Sequence, residues 1–251
     1  MIQPVIVLAV LGLVIGSFLN VCMVRLPEHR NIWRPGSSCP ACGALIGWRD
    51  NIPVLSYLAL RGRCRACRAR ISWRYPLVEM VTSFLFVLTY LRFGWSTELP
   101  VALVLMSALI VVTGIDLTHQ IIPDVVTLPG IVVGFLANLL SHRVGWAESL
   151  LGILVGGGTL FVIIHASNGG MGGGDMKLEA MLGAFLGWKI ALMSLLIAAL
   201  AGGAIAVVLL ALKIRGRKDP VPFGPFLALG GTVGLFWGER LLAWYLGGFH
   251  S

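Results

Sequence analysis

The chain has 251 residues, of which 57% are hydrophobic and only 12% are charged. A soluble globular domain is about 25% charged, so this composition excludes a soluble nucleic-acid-binding protein. The apolar residues form continuous runs, which excludes an outer-membrane barrel, because barrel strands alternate apolar and polar residues. The formal net charge is +8, and the whole excess lies between Arg25 and Arg74, where ten arginines accompany two acidic residues. We therefore predict an all-α polytopic membrane protein with one strongly basic loop.

The first apolar run, at 4–24, predicts a transmembrane helix that is retained in the protein. No basic residue precedes this run and no small-residue cleavage site follows it, so it lacks the features of a removable signal peptide. Cys22 lies within the run, and we expect its side chain to be a small core residue.

The basic loop at 25–76 is short enough for the positive-inside rule to apply. We therefore predict that the loop is cytoplasmic and that the N-terminus lies outside. The same rule assigns to the cytoplasm a second basic cluster, formed by Lys213, Arg215, Arg217 and Lys218. Arginines near a membrane attract anionic lipid headgroups, each contributing about 1 kcal/mol. Membrane lipid is therefore an expected partner, and nucleic acid is not.

Four of the five cysteines lie in this loop as two CxxC pairs. Cys39 and Cys42 form the first pair, Cys64 and Cys67 form the second, and 21 residues separate them. Two such turns supply the four thiolates of a tetrahedral structural zinc site. A closed four-thiolate site has no open position for a substrate, so this zinc would hold the loop together. Unbound thiols or two disulfides are the alternative.

The apolar runs after the loop predict seven more crossings, for eight in total. A crossing needs about 20 apolar residues, with about 17 as the practical minimum. Two basic clusters on one side require an even number of crossings between them, so we count the short run 176–187, about 18 Å long as a helix, among them. We interpret Trp188-Lys189 as the tight external turn that follows it. The crossings are 77–93, 99–115, 122–140, 148–166, 176–187, 190–212 and 221–246.

Glycine pairs at four-residue spacing recur in these runs. Such pairs let helices approach closely in lipid, so we expect them at helix contacts within one bundle. They are Gly12/Gly16, Gly152/Gly156, Gly183/Gly187 and Gly230/Gly234.

Three aspartates adjoin the apolar runs: Asp116, Asp124 and Asp175. An aspartate at the centre of a membrane helix costs roughly 2.5–3.5 kcal/mol, so such residues are functional candidates. In the predicted topology, one ends the third crossing and the others open the fourth and the sixth. All three should therefore reach the cytoplasmic face at similar depth.

A glycine-rich segment precedes Asp175, with five glycines among the six residues 169–174. Such a run is not expected to form a stable helix, and glycine's freedom at positive φ lets the backbone approach a bound chain closely. A flexible linker with Asp175 as the helix cap is one alternative. A phosphate cradle is another, although a carboxylate repels phosphate and the GK[ST] ending of a P-loop is missing. Cap and catalyst both remain open for Asp175.

Paired carboxyl groups suit one type of hydrolysis. Two carboxyls close together in a poorly hydrated site share a proton. The ionised one can accept a proton from water while the protonated one donates to a scissile carbonyl. This is the chemistry of aspartic peptidases, and it fits a sequence without a plausible Ser/His set or HExxH motif.

The segments that carry the aspartates resemble a known family. GIDLTHQIIPD at 114–124 and GGGDMK at 172–177 are similar to the two active-site motifs of the type IV prepilin peptidases, which are GxGD-type membrane aspartic proteases. The N-terminal part is similar as well. Its matching segments are the two CxxC pairs, GSFLNV at 16–21, NIPVLSY at 51–57 and RYPLVE at 74–79.

This resemblance implies that Asp116 and Asp175 are the catalytic pair. It implies prepilin and pseudopilin substrates, whose basic leader is removed on the cytoplasmic side of the bacterial inner membrane. It also implies methylation of the new N-terminal residue with S-adenosylmethionine, an activity that the family assigns to the cysteine-containing loop. The residues themselves identify no methyl-donor site. The supporting motif residues are then Asp124, Gly172, Gly174 and Lys177.

The predicted organisation has three parts: the first helix at 1–24, the cytoplasmic zinc loop at 25–76 and the membrane-embedded peptidase domain at 77–251. Lys177 and Glu179 flank Asp175 and could influence its protonation. A snorkelling lysine and a local ion pair are the alternatives for these two residues.

Two other classes of function are compatible with parts of this pattern. A cation or proton transporter could use the three aspartates as an ion path, but it leaves the CxxC pairs unexplained. A scaffold could recruit partners through the basic loop without using the aspartates.

Overall fold

The computed structural model describes residues 2–34, 36–141, 144–166, 172–214, 216 and 221–247. These residues are helical apart from loops, and two isolated bridges are their only β pairing. The all-α prediction is confirmed, and each predicted crossing overlaps one of these helices. The elements are α1 (Ile2–Arg25), a 3-10 turn (Trp48–Asn51), α2 (Leu55–Ala59), α3 (Arg74–Phe93), α4 (Glu98–His119), α5 (Asp124–Ser141), α6 (Trp146–Ala166), α7 (Gly173–Leu186), α8 (Trp188–Ala211) and α9 (Gly224–Gly247).

Five of these helices, α1, α3, α4, α6 and α8, are long and apolar enough to cross a membrane. The protein is therefore a multi-pass membrane protein. Helix α5 is a shorter apolar helix, α7 has 14 residues, and α9 carries Glu239 and Arg240. The count of eight crossings accordingly stays a prediction.

The turn after α7 lies one residue earlier than predicted. Helix α7 ends at Leu186 and α8 begins at Trp188, so Gly187 alone connects them and Trp188-Lys189 is already helical. Gly187 has φ 79°, a left-handed conformation that glycine adopts without a steric penalty. The predicted turn at Trp188-Lys189 was therefore wrong in position, because the glycine and not the tryptophan supplies the chain reversal.

The glycine-rich approach to Asp175 is partly helical, which corrects the prediction that it would not form a helix. Gly173 and Gly174 are the first two residues of α7, and Gly172 is the extended residue that caps the helix. The first turn of a helix has no intrahelical partners for its N–H groups, so glycine is tolerated there more readily than in a helix interior. With these residues included, α7 is about 21 Å long. Residues 167–171 lie outside the described part of the chain.

The chain divides into two compact units, one up to residue 99 and one from residue 100. In the first unit α1 packs against α3. A Cβ at Gly12 would lie 2.5 Å from the Cα of Ser83, and one at Gly16 would lie 2.7 Å from the Cα of Glu79, so both glycines permit this close packing. The three-part division at residues 24 and 76 stays a prediction.

The second unit is built around α7, whose residues 178–186 are all buried. Helices α5, α6, α8 and α9 surround it. Gly152 of α6 meets Gly183 of α7 so closely that a Cβ on either would overlap the other's carbonyl group. The predicted close packing at glycine pairs is confirmed here. Gly187 is the exception, because it forms the turn. Of the second basic cluster, Arg215, Arg217 and Lys218 lie outside the described residues.

Candidate active site and metal centre

Asp116 lies in the last turn of α4 and is only 5% exposed. Its Oδ2 accepts a 2.9 Å hydrogen bond from the backbone N–H of Gly224, the first residue of α9. A Cβ at position 224 would lie 2.7 Å from that oxygen, so glycine is required for this approach. The N-terminus of a helix carries unpaired N–H groups and a partial positive charge. Helix α9 therefore orients Asp116 and stabilises its carboxylate.

Asp175 is the third residue of α7 and is 8% exposed. Its carboxylate accepts a hydrogen bond from the backbone N–H of Gly172, the residue that caps the helix. This is the second half of a capping box. The two predicted roles are therefore compatible, since a carboxylate has two oxygens and about four acceptor positions.

A close contact brings the start of α7 to the end of α4. A Cβ at Gly174 would lie 2.8 Å from the Cβ of Ile122, in the segment that joins α4 to α5. With α7 seated there, the carboxylates of Asp116 and Asp175 are close enough to repel each other electrostatically. The structure thus assembles the two predicted aspartates in one buried site.

Asp124, the third predicted aspartate, has a different environment. It is the first residue of α5, and both of its carboxylate oxygens accept hydrogen bonds of 2.7 Å from Nζ of Lys177 on α7. The Asp124 side chain is 54% exposed and that of Lys177 is 32% exposed. An exposed ion pair contributes only about 0–1 kcal/mol to stability. This pair connects the start of α5 to α7 next to Asp175.

Glu179 lies one helical turn after Asp175 and has no exposed surface. Its Oε1 accepts a long 3.5 Å hydrogen bond from the Ser194 hydroxyl of α8, and its Oε2 has no partner among the described residues. The alternative of a local ion pair between Lys177 and Glu179 is therefore wrong. The lysine reaches outward to Asp124, whereas the glutamate points into the helix bundle.

Sequence analysis missed Gly224 as part of the site. A signal was present, because the glycine stands between Pro222 and Pro225 directly before a long apolar run. Proline near the start of a helix is a known initiation feature. The pattern does not indicate which side chain the N–H groups at the start of α9 contact.

The four loop cysteines come together as predicted. The sulfur atoms of Cys39, Cys42, Cys64 and Cys67 all lie within 4.8 Å of one another, and none forms a disulfide. The sulfurs of Cys39 and Cys67 are 3.8 Å apart. A tetrahedral zinc with Zn–S bonds of about 2.3 Å requires sulfur–sulfur distances of about 3.8 Å. The residues therefore fit a four-thiolate metal site, and the disulfide alternative is not what the structure shows.

Each CxxC pair lies in a small hairpin of the same design. The N–H of Cys39 donates to Ala44, and the N–H of Cys64 donates to Ala69. In both turns the fourth residue after the first cysteine has positive φ: Gly43 at 72° and Arg68 at 61°. Only the first turn has the residue type that suits this conformation.

An ion pair fixes the second hairpin, and hydrogen bonds within the cysteine cluster shift the thiol pKa values. Arg65 donates two hydrogen bonds of 2.7 Å to Asp50, which lowers the pKa of that carboxyl and links the second hairpin to the 3-10 turn. Hydrogen bonds from the backbone N–H groups of Ala41 and Cys42 lower the pKa of the Cys39 thiol to about 7. The pKa of the Cys67 thiol is raised to about 11, because hydrogen bonds with the neighbouring thiols together outweigh the one from the backbone of Ala69. A lowered pKa favours the thiolate, the form that binds metal.

The N-terminal motif segments also meet within the first unit. Asn20 of α1 donates a 3.0 Å hydrogen bond to the carbonyl of Tyr75 at the start of α3. Glu79 of α3 is buried and accepts hydrogen bonds from the backbone N–H of Val54 at 2.7 Å and from the Ser17 hydroxyl. Three segments far apart in sequence are thus joined through one carboxylate.

Two family models match successive parts of the chain. Residues 10–93 match the bacterial peptidase A24 N-terminal domain, and residues 103–207 match the type IV leader peptidase family. Three relatives share the name prepilin leader peptidase/N-methyltransferase. The relative from Aeromonas hydrophila is 39% identical and covers 95% of this chain and 92% of its own length.

The other two relatives come from Pseudomonas aeruginosa and Myxococcus xanthus. For the relative from Pseudomonas aeruginosa the identity is 37%, with 94% of this chain and 91% of the relative covered. The relative from Myxococcus xanthus is 43% identical, with 85% of this chain and 64% of the relative covered. No solved structure matches the chain. These matches do not support the alternative of a cation or proton transporter.

Proposed function

Because the chain belongs to the type IV leader peptidase family, we propose that it is a membrane aspartic endopeptidase that removes the basic leader of type IV prepilins and pseudopilins. It also methylates the new N-terminal residue with S-adenosylmethionine, as the second half of its relatives' name indicates. The observation that carries the peptidase proposal is the buried pair Asp116 and Asp175. Their carboxyl groups repel each other, and each is oriented by one backbone N–H.

The two aspartates divide the steps of peptide hydrolysis. The ionised carboxylate accepts a proton from a water molecule, and the oxygen of that water attacks the scissile carbonyl carbon. The protonated carboxyl donates its proton to the carbonyl oxygen in the same step. The peptide C–N bond then breaks as the leaving amine takes up a proton from the pair. The N–H groups of Gly224 and Gly172 keep the carboxylates in position throughout.

The supporting motif residues position this pair. Gly174 permits the contact with Ile122 that seats α7, and Gly172 supplies the N–H that orients Asp175. Asp124 and Lys177 connect α5 to α7 beside the site. None of these four residues needs to exchange a proton with the substrate.

Cleavage and methylation can be tested in one assay. The purified protein in detergent micelles is incubated with a full-length prepilin, and the product is analysed by mass spectrometry. We expect loss of the leader, and a further gain of one methyl group at the new N-terminus when S-adenosylmethionine is added. A prepilin that stays intact under all conditions would contradict the proposed function.

The four loop cysteines hold a structural zinc ion in this proposal. Metal analysis of the purified protein should find one zinc per chain, and Cys39→Ser should release it and make the loop sensitive to proteases. Cys22→Ala is the matched control, since Cys22 lies in α1 outside the cluster. Wild-type protein without zinc, or zinc retained in Cys39→Ser and Cys64→Ser, would refute the assignment.

In this proposal the protein lies in the bacterial inner membrane, with its N-terminus outside and the basic loop at 25–76 in the cytoplasm. This orientation follows from the positive-inside rule, and cleavage then occurs on the cytoplasmic side. The loop arginines face anionic lipid and not nucleic acid. Protease added to inverted membrane vesicles should cut the loop, whereas protease added to right-side-out vesicles should not.

A further inference from the structure

The first unit contains a cavity of about 380 Å³ beside the C-terminal half of α1. One wall is the helix face that carries Val14, Ser17, Phe18 and Val21, residues at helical spacing. The opposite wall comes from loop residues 32, 33, 36 and 37 and from residues 51 and 53. The peptidase mechanism uses none of these residues.

The described loop residues of this wall are held over α1 by Arg25. The guanidinium of Arg25 donates to the carbonyls of Asn31 at 3.1 Å, Ile32 at 3.0 Å and Gly36 at 3.2 Å. The side chain of Asn31 in turn accepts from the backbone N–H of Trp33 at 2.8 Å. The ring of Trp33 is thereby brought to 5.9 Å from that of Phe18. Because fixed hydrogen bonds form this wall, the cavity is present before a ligand arrives.

The segment 51–53 is fixed by Glu79. Its carboxylate accepts from both Val54 and Ser17, so one buried group joins the loop to the cavity-lining face of α1. Val54 has φ 59°, which is a strained conformation for a β-branched residue. Such strain persists only where surrounding contacts determine the backbone, and it concentrates at ligand sites.

The lining matches the chemistry of a methyl donor. S-adenosylmethionine combines a planar adenine, ribose hydroxyls and a positively charged sulfonium, and small-molecule pockets of about 300–1,000 Å³ are mostly apolar with a few polar groups. The rings of Phe18 and Trp33 suit the adenine and the sulfonium, because aromatic faces attract cations. Ser17, Ser37 and Asn51 offer hydroxyl and amide partners for the ribose. The guanidinium of Arg25, also in the lining, suits the carboxylate of the methionine part.

We propose that this cavity is the methyl-donor site, with Phe18 and Trp33 binding S-adenosylmethionine and Glu79 positioning the wall behind it. The inference rests on the proposed methyltransferase function, and it assigns the donor to named residues outside the cysteine cluster. The cysteine hairpins then act as the structural support of the loop and not as the donor site.

Equilibrium binding of radiolabelled S-adenosylmethionine to the purified full-length protein in micelles tests the proposal without depending on activity. Trp33→Ala and Phe18→Ala should each weaken binding about tenfold, the effect of losing one aromatic partner of a cation. Val21→Trp should abolish binding by filling the cavity. Trp48→Ala is the matched control, because Trp48 is a loop tryptophan, 75% exposed, outside the lining, and should leave the affinity unchanged. S-adenosylhomocysteine should compete for the site.

The outcomes separate this proposal from the function on which it rests. Zinc content and unfolding temperature equal to those of Trp48→Ala show that the cavity variants are folded. Folded Trp33→Ala and Val21→Trp variants that bind the donor as the wild type does would overturn the assignment while leaving the methyltransferase intact. A wild type that cuts prepilin but binds no donor would also overturn it. A wild type that neither cuts nor binds would refute the proposed function itself.

Discussion

Both units of the protein bury carboxyl groups on apolar helices, but they surround them differently. In the first unit Glu79 accepts hydrogen bonds from a backbone N–H and a hydroxyl, and it joins three segments. In the second unit Asp116 and Asp175 accept from one backbone N–H each and lie close enough for their charges to repel. The difference teaches that burial alone does not identify a catalytic acid. A single buried carboxyl with neutral donors serves the fold, whereas two buried carboxyls that repel each other favour sharing a proton, as the proposed peptidase chemistry requires.

Glu179 provides a third environment on the same helix as Asp175. It is completely buried, it has one long contact to Ser194, and its second oxygen has no partner among the described residues. A buried polar atom without a partner costs about 1–3 kcal/mol. Glu179 therefore resembles Glu79 in burial but not in its contribution to stability.

The largest effect is expected when the hydrogen bond from the backbone N–H of Gly224 to Asp116 is disturbed. Gly224→Ala should displace the carboxylate, since the added Cβ would lie 2.7 Å from Oδ2. We expect the cleavage rate to fall about a hundredfold or more, because a small misplacement of a catalytic group has effects of this size. The initial rate of prepilin cleavage measures this. Gly203→Ala in α8 is the control, since a Cβ there meets nothing within 4 Å. Equal rates for both variants would show that α9 does not position Asp116.

A smaller effect distinguishes the two buried glutamates. Glu79→Met should lower the free energy of unfolding by about 1–3 kcal/mol, because the N–H of Val54 loses its acceptor. The same change at Glu179 removes a carboxyl with an unpartnered oxygen and should be neutral or stabilising. Denaturant or thermal unfolding in micelles compares the two. If Glu179→Met is the more damaging variant, the ranking of these environments is wrong.

The smallest expected effect lies in the paired cysteine hairpins. Arg68→Gly should strengthen the second hairpin by about 1 kcal/mol, since a non-glycine residue at positive φ costs roughly that amount. Gly43→Ala should weaken the first hairpin by a similar amount. Resistance of bound zinc to a chelator is the measurement. Opposite signs would indicate that Arg68 makes a contact whose loss exceeds the relief of backbone strain.

Much of the helical framework follows from the sequence. Long apolar runs are the dominant signal for membrane helices, so each long helix was located from its run. The 14-residue α7 was located because an even number of crossings had to separate the two basic clusters. The turn at Gly187 was displaced by one residue because tryptophan and lysine mark an interface but do not reverse a chain. The helical state of Gly173 and Gly174 was missed because local propensity does not include their packing against Ile122.

The candidate site was predicted in part. Its aspartates and cysteines are visible as motifs, since their chemistry requires those residue types at fixed spacing. The contact from Gly224 to Asp116, the ion pair from Lys177 to Asp124 and the bonds to Glu79 depend on which helices become neighbours. Which helices become neighbours is decided by tertiary packing, and the local sequence pattern of one helix does not contain this information.

The central claim is that Asp116 and Asp175 together perform the cleavage. The most direct test measures prepilin cleavage by Asp116→Asn, Asp175→Asn and, as the matched control, Asp124→Asn, each verified as folded by its zinc content and unfolding temperature. The account predicts that the first two variants give no detectable product. The third should still cut, because an exposed ion pair contributes only about 0–1 kcal/mol. Cleavage at the wild-type rate by either Asp116→Asn or Asp175→Asn would contradict it.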